Sequence, residues 1–381
     1  MPDPRIEKLA DVIVRYSTGV KKDQLVRLTG DPVALPLMEA IYERCIQLGA
    51  HVQFKCVPDS LQTIFFEHAK PHQLDYVSPL VKQEVKTIDV SIGIWADTNT
   101  KAMTNVDPKL QARASAARKP LWKTFMKRAA DGDLHWCGTQ FPTNASAQDA
   151  EMSLREYEDF VFKAGLLHKR DPVAEWQKVA KQQQKVVDYL NGKKEIRFVT
   201  RAGTDLLVNI EGMTWINCCG NENFPDGEVF TGPNLKARDG GVNGIVKYSF
   251  PAVHHGREVH DIELTFEKGR VVNAKASKNQ AFLEKMLDMD RGARALGEIA
   301  IGTNYSIQQY TKNTLFDEKI GGTFHAAVGA AYPETGATNE SGLHWDMVCD
   351  MRKPAGGGEI IVDGKTIQKD GKFVFKGWPG V

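Results

Sequence analysis

Residues 25–56 read LVRLTGDPVALPLMEAIYERCIQLGAHVQFKC, and this run decides the architecture of the first half of the chain. Residues 25–28 are a short apolar run of the length a buried strand uses. Asp31-Pro32 then places a capping carboxylate before a proline at the first helical position, and Met38, Ile41, Cys45 and Leu48 recur at helical spacing. Gly49 stops that helix, and Val52, Phe54 and Cys56 alternate as a second strand. Strand, helix and strand in succession form the unit from which parallel sheets are built.

The same rhythm continues on both sides. Ile6, Leu9, Ile13 and Tyr16 share a helical face; Ile88, Val90, Ile92 and Ile94 alternate as a strand; 108–130 reads as a long helix and 134–137 as a short strand. Asp171-Pro172 opens a further helix carrying Trp176, Val179, Val187 and Leu190, and Asn191-Gly192 ends it. Beyond it strand patterns dominate, at 196–200, 206–210, 242–250, 262–266 and 271–276, with one helix near 279–289 and turn signals at Glu267-Lys268-Gly269 and Asp363-Gly364. The expectation is an α/β N-terminal domain with a mostly parallel sheet over residues 1–191. An α+β, largely antiparallel, metal-binding catalytic domain is expected over 192–381.

Composition narrows the function. At 381 residues and a formal net charge of +1, with no Lys/Arg block, the chain lacks the basic balance of a nucleic-acid binder. No apolar stretch approaches the ~20 residues that span a bilayer. The polar start Met1-Pro2-Asp3-Pro4-Arg5 is unlike a secretory signal, and the six cysteines form no CxxC pair. These features suggest a cytoplasmic enzyme with reduced thiols. GxGxxG, Walker A, GxSxG and HExxH motifs are all missing, which counts weakly against a dinucleotide enzyme and directs the search for chemistry elsewhere.

The chemistry is concentrated in the second half. His344 and Asp346 flank Trp345 in an apolar run that reads as a strand, where residues two apart project to one side. His325 sits among glycines and alanines in GGTFHAAVGAAY (321–332); were this run helical, His325 and Tyr332 would share a face two turns apart. Glu298 is a lone carboxylate between Leu296-Gly297 and Ile299-Ala300-Ile301, and Glu228 follows the Asp226-Gly227 turn. Each has an ordinary alternative: a core histidine with one hydrogen-bonded partner, a Glu298–Arg294 pair on a helix, a turn carboxylate. His254-His255 and His260 flank Gly256-Arg257 and read as an exposed hairpin tip. Taken together, two glutamates, two histidines and an aspartate suit Zn, Mn, Co or Mg. Five candidate donors exceed the three protein ligands of a single catalytic zinc and point to two divalent metal ions. His325, His344 and Asp346 alone would instead make a 2-His-1-carboxylate set for non-haem Fe(II), as in a ring-cleaving dihydroxypyridine dioxygenase.

FPDGEVFTGP (224–233), LGEIAIGTN (296–304), DEKIGGTFHAAVGAAYP (317–333) and LHWDMV (343–348), with KLADVIVRYSTGVKKDQLVRLTG (8–30), resemble the M29 family of metallo-aminopeptidases, the aminopeptidase T and S group, over essentially the whole chain. The resemblance implies metal ligands at Glu228, Glu298, His325, His344 and Asp346, with Glu298 bridging. It implies catalytic roles for Tyr332 and Glu298, a peptide or small amide substrate, and a homodimer. The 19 residues from His325 to His344 are few for the family, and the loop between them is where substrate preference would differ.

Overall fold

The computed structural model describes residues 3–254 and 256–381; Met1, Pro2 and His255 lie outside the described residues. The chain divides into two compact units, Met1–Val173 with Gly220–Pro225, and Ala174–Cys219 with Asp226–Val381.

In the first unit five strands form an all-parallel sheet in the spatial order His51–Cys56, Leu25–Gly30, Val90–Trp95, His135–Gln140 and Asn223–Phe224. Val26, Leu28, Val90 and Ile92 are wholly buried, as strands covered on both faces require. Asp31 caps a single 3-10 turn, Pro32–Ala34, by accepting the Val33 amide, and the helix Leu35–Gln47 follows with Leu37, Met38, Ile41 and Cys45 inside. The long helix Pro108–Ala130 forms as the spacing predicts. The N-terminal helix widens into a π-turn at Val12–Ser17, with the Thr18 amide bonded to the Ile13 carbonyl. No described helix is long and apolar enough to cross a membrane.

The second unit is antiparallel. Eight strands run in the order Arg270–Lys275, Glu263–Glu267, Val242–Lys247, Asp205–Asn209, Glu195–Thr200, Gly358–Val362, Lys365–Lys369, Lys372–Phe373. Asp363 and Gly364, both at positive φ, form the tight turn that joins two of them, as the Asp-Gly pair predicts. A second sheet runs His344–Trp345, Thr323–Gly329, Leu296–Gly302, Glu228–Thr231, Ile216–Cys218, with Val348–Asp350 also paired to Thr323–Gly329. The two sheets share one apolar core: Phe198, Leu206 and Val208 from the first meet Val229, Ile299, Ile301, Phe324, Ala326 and Trp345 from the second. The rings of Phe198 and Phe324 stack with centroids 4.1 Å apart.

Two conditional readings of the sequence are corrected here. Residues 323–329 are a strand, so the spacing of His325 and Tyr332 is not two helical turns. Every residue of that strand is buried, and a run buried on both faces shows neither helical nor strand periodicity. Glu298 also lies on a strand, and Arg294 pairs instead with Glu284 and Asp288. The hairpin Ala252–His254 with Arg257–Val259 forms where expected, but its described histidines are half-buried, not exposed: His254 packs on Trp345, ring centroids 5.1 Å apart, and His260 Nε2 lies 3.1 Å from Glu258.

Candidate metal centre

Alternation along four neighbouring strands builds the site. Val229, Ile299, Phe324, Ala326, Trp345 and Met347 enter the core between the sheets. Side chains one position away point to the other face, and those are Glu228, Glu298, His325, His344 and Asp346. Across the ladder Glu298 stands opposite Ala327, His325 between Ala300 and Val348, Glu228 between Gly302 and Cys218, and His344 opposite Gly329. Gly329 is fixed by its backbone: its φ is +104° and an added Cβ would lie 2.1 Å from the Leu343 carbonyl oxygen.

All five sequence candidates converge. His325 Nε2 lies 3.2 Å from Glu298 Oε1, 3.6 Å from Glu228 Oε2 and 3.8 Å from Asp346 Oδ1. His344 Nε2 lies 3.3 Å from Glu298 Oε2 and 3.4 Å from Asp346 Oδ1. Glu298, 4 % exposed, thus presents one oxygen to each imidazole. The other ring nitrogens face backbone oxygens: His325 Nδ1 is 3.2 Å from the Glu318 carbonyl and His344 Nδ1 2.8 Å from the Ala330 carbonyl. A carbonyl only accepts, so each Nδ1 donates to it and each Nε2 is left directed at the carboxylates.

The electrostatics follow from this crowding. Burial pulls the His325 imidazole down, but Glu298, Glu228 and Asp346 outweigh it and lift its pKa to about 10. Burial likewise opposes protonation of His344, and Asp346 and Glu298 overcome it. Burial would raise Glu298, yet hydrogen bonds from both imidazoles hold it below its ordinary value. Asp346 is held low in the same way, chiefly by His344. Glu228 is pushed up to about 8 by burial, which Lys319 only partly offsets. Its Oε2 is buried without a hydrogen-bond partner.

These donors fit divalent cations. Carboxylate oxygens and imidazole nitrogens within 4.8 Å of one another form two groups that share Glu298: Glu228, Glu298 and His325, and Glu298, His344 and Asp346. Imidazole nitrogens that give up their proton to a cation, and a buried carboxylate oxygen without a hydrogen bond, are what such ions engage. Tyr332 lies beside the cluster, its ring edge-on to Phe230 (centroids 5.4 Å apart) and to His344 (5.1 Å). It arrives there because the chain turns after Gly329, not by helical spacing.

Sequence alone did not single out Glu318 or Lys319. Glu318 joins His325 and Asp346 in a further donor group, and Lys319, 0 % exposed, reaches Glu228 and Glu318. The adjacent Asp317-Glu318-Lys319 reads as a solvated charge run; only the fold buries it.

Comparison with known proteins agrees with the sequence resemblance. The profile of the family described as thermophilic metalloprotease (M29) matches residues 2–373. Aminopeptidase 2 of Geobacillus stearothermophilus is 28 % identical, covering 97 % of this chain and 95 % of its own. Aminopeptidase T of Thermus thermophilus is 26 % identical, over 94 % and 90 %. The solved structure of wild-type AmpT from Thermus thermophilus superposes with a TM-score of 0.82 at 25 % identity, over 98 % of this chain and 99 % of that one. A 2,5-dihydroxypyridine dioxygenase from Pseudomonas putida KT2440 shares the fold at a TM-score of 0.59 and 13 % identity, over 97 % and 96 %.

Proposed function

The chain belongs to the M29 family of metalloproteases, and from that premise we propose that it is an aminopeptidase, releasing N-terminal residues from peptides at a site for two divalent cations. The observation that carries the two-cation reading is Glu298, whose oxygens face His325 Nε2 and His344 Nε2 separately. Glu228, Glu298 and His325 would hold one ion, and Glu298, His344 and Asp346 the other. Bound cations there supply Lewis acidity to the scissile carbonyl and acidity to the attacking water.

The chain's own residues do the rest. The Nδ1 bonds to the Glu318 and Ala330 carbonyls fix both imidazoles in the ring orientation that directs Nε2 inward. Burial, reinforced by Glu298 and Asp346, keeps the Tyr332 phenol protonated well above its ordinary pKa, so it remains a hydrogen-bond donor for the developing oxyanion. A carboxylate of the cluster takes the proton from the attacking water and returns it to the leaving amine.

A Fe(II) triad of His325, His344 and Asp346 has no need of Glu228 and Glu298, so the dioxygenase reading is the weaker. The test strips the protein of metal and assays aminoacyl amides and short peptides with added Zn, Co, Mn or Mg. Metal-dependent release of free amino acid is expected. Oxygen uptake on a dihydroxypyridine with Fe(II), and no peptide turnover with any metal, would reverse the assignment.

A further inference from the structure

Lys319 has no role in the chemistry above, yet it is wholly buried. A buried lysine is costly unless its charge is met. Here the ammonium lies 2.6 Å from Glu228 Oε1, 2.5 Å from Glu318 Oε1 and 3.7 Å from Asp226 Oδ1. Its backbone is fixed as well: its amide donates to the Phe316 carbonyl, and its carbonyl accepts from the Asn304 amide.

The consequence falls on Glu228. Rotation about the last torsion of a glutamate is soft, so a free carboxylate can present either oxygen or both. Lys319 engages Oε1, and the oxygen left over, Oε2, makes no hydrogen bond and lies 3.6 Å from His325 Nε2. The backbone carbonyl of Glu228 is held too, by Gln183 Nε2 at 3.0 Å. We propose that Lys319 is a positioning residue that holds Glu228 by Oε1 so that it serves a divalent cation through Oε2 alone. The ammonium thus stands among three carboxylates, those of Asp226, Glu228 and Glu318.

The inference rests on the two-cation reading, and the experiment separates the two. Metal-stripped protein is titrated with Mn²⁺ by calorimetry, alongside Lys319→Met and Lys319→Arg. The unchanged protein is expected to take two equivalents. Lys319→Met is expected to bind one of them about 10–100-fold more weakly, as loss of a ligand's outer partner does, and Lys319→Arg to recover part of the loss. A folded Lys319→Met with both affinities unchanged would overturn the role of Lys319 while leaving the two-cation site standing. An unchanged protein that binds no Mn²⁺ would overturn both. Should Lys319→Met not fold, a crystal structure of the Mn²⁺-loaded unchanged protein decides: Glu228 bound through Oε2 with Oε1 on Lys319 supports the inference, and Glu228 bound through both oxygens overturns it.

Discussion

Each unit of this molecule gathers carboxylates, and the two gatherings do different work. In the first unit Asp31 follows the strand Leu25–Gly30, Asp59 precedes the helix Ser60–His68, and Asp97 follows the strand Val90–Trp95. Asp31 accepts the Val33 and Asp59 amides; Asp59 accepts the Thr98 amide at 2.8 Å and its hydroxyl at 2.7 Å. These oxygens tie loops to strand ends, and among the described residues no group of three metal-competent side chains is found there. In the second unit Glu228, Glu298 and Asp346 face two imidazoles from a buried sheet surface, and one oxygen of Glu228 has no partner. An acidic cluster becomes a candidate for chemistry when local backbone leaves its oxygens unengaged and nitrogen donors share the space.

The sharpest way to break this comparison is Glu298→Gln. It should lower kcat/KM by about 10³-fold or more, close to 4 kcal/mol of barrier, and reduce bound metal by elemental analysis without unfolding the protein. Full activity would remove Glu298 from the site. Stripping metal from the unchanged protein should abolish turnover and lower Tm in calorimetry. Restoring free metal to about 100 times its Kd should return roughly 2.7 kcal/mol of stability for each site filled. Tyr332→Phe should cost kcat about 10²–10³-fold with metal content unchanged, and a parallel loss of metal would assign Tyr332 to holding the ion.

The acids of the first unit should respond in stability, not in turnover. Asp59→Ala should cost about 1 kcal/mol in denaturant melts and leave kcat untouched; a large activity loss would erase the distinction between the clusters. Burial would raise the Asp59 pKa, but the Thr98 amide and hydroxyl hold it below its ordinary value. The folded state therefore binds that proton less tightly than the unfolded one. The stabilisation is complete above the unfolded pKa, about 4, and is lost as pH falls through the lower folded value, so Asp59→Ala should flatten the acid limb of a stability–pH curve. The smallest effect is expected at Asp205, paired with Arg197 at 2.6 Å on the surface. Asp205→Asn should change stability by no more than about 0.5 kcal/mol, and by less in high salt.

Much of this was legible in the chain because the signals are local. Asp31-Pro32 and Gly49 bracket a helix through backbone chemistry that depends on no distant contact. Asp363-Gly364 makes its turn because both residues tolerate positive φ. The two-residue spacing of His344 and Asp346 set both on one side, and they lie 3.4 Å apart, although the strand His344–Trp345 ends before Asp346. The run 323–329 was not legible in the same way, since TFHAAVG is buried on both faces and carries no alternation of polarity. Lys319 was hidden for a related reason: beside two acids it looks like a solvated charge, and its burial depends on strands far away in sequence.

The sequence by itself determined which residues have the chemistry to bind metal, and it determined strand and helix wherever one face is apolar and the other polar. Only the tertiary structure decided that Glu228, Glu298, His325 and His344, far apart in the chain, meet across one sheet with Asp346 beside them, because antiparallel registry, not spacing, brings their strands together. It also decided which oxygen of Glu228 is free, because that depends on the buried ammonium of Lys319.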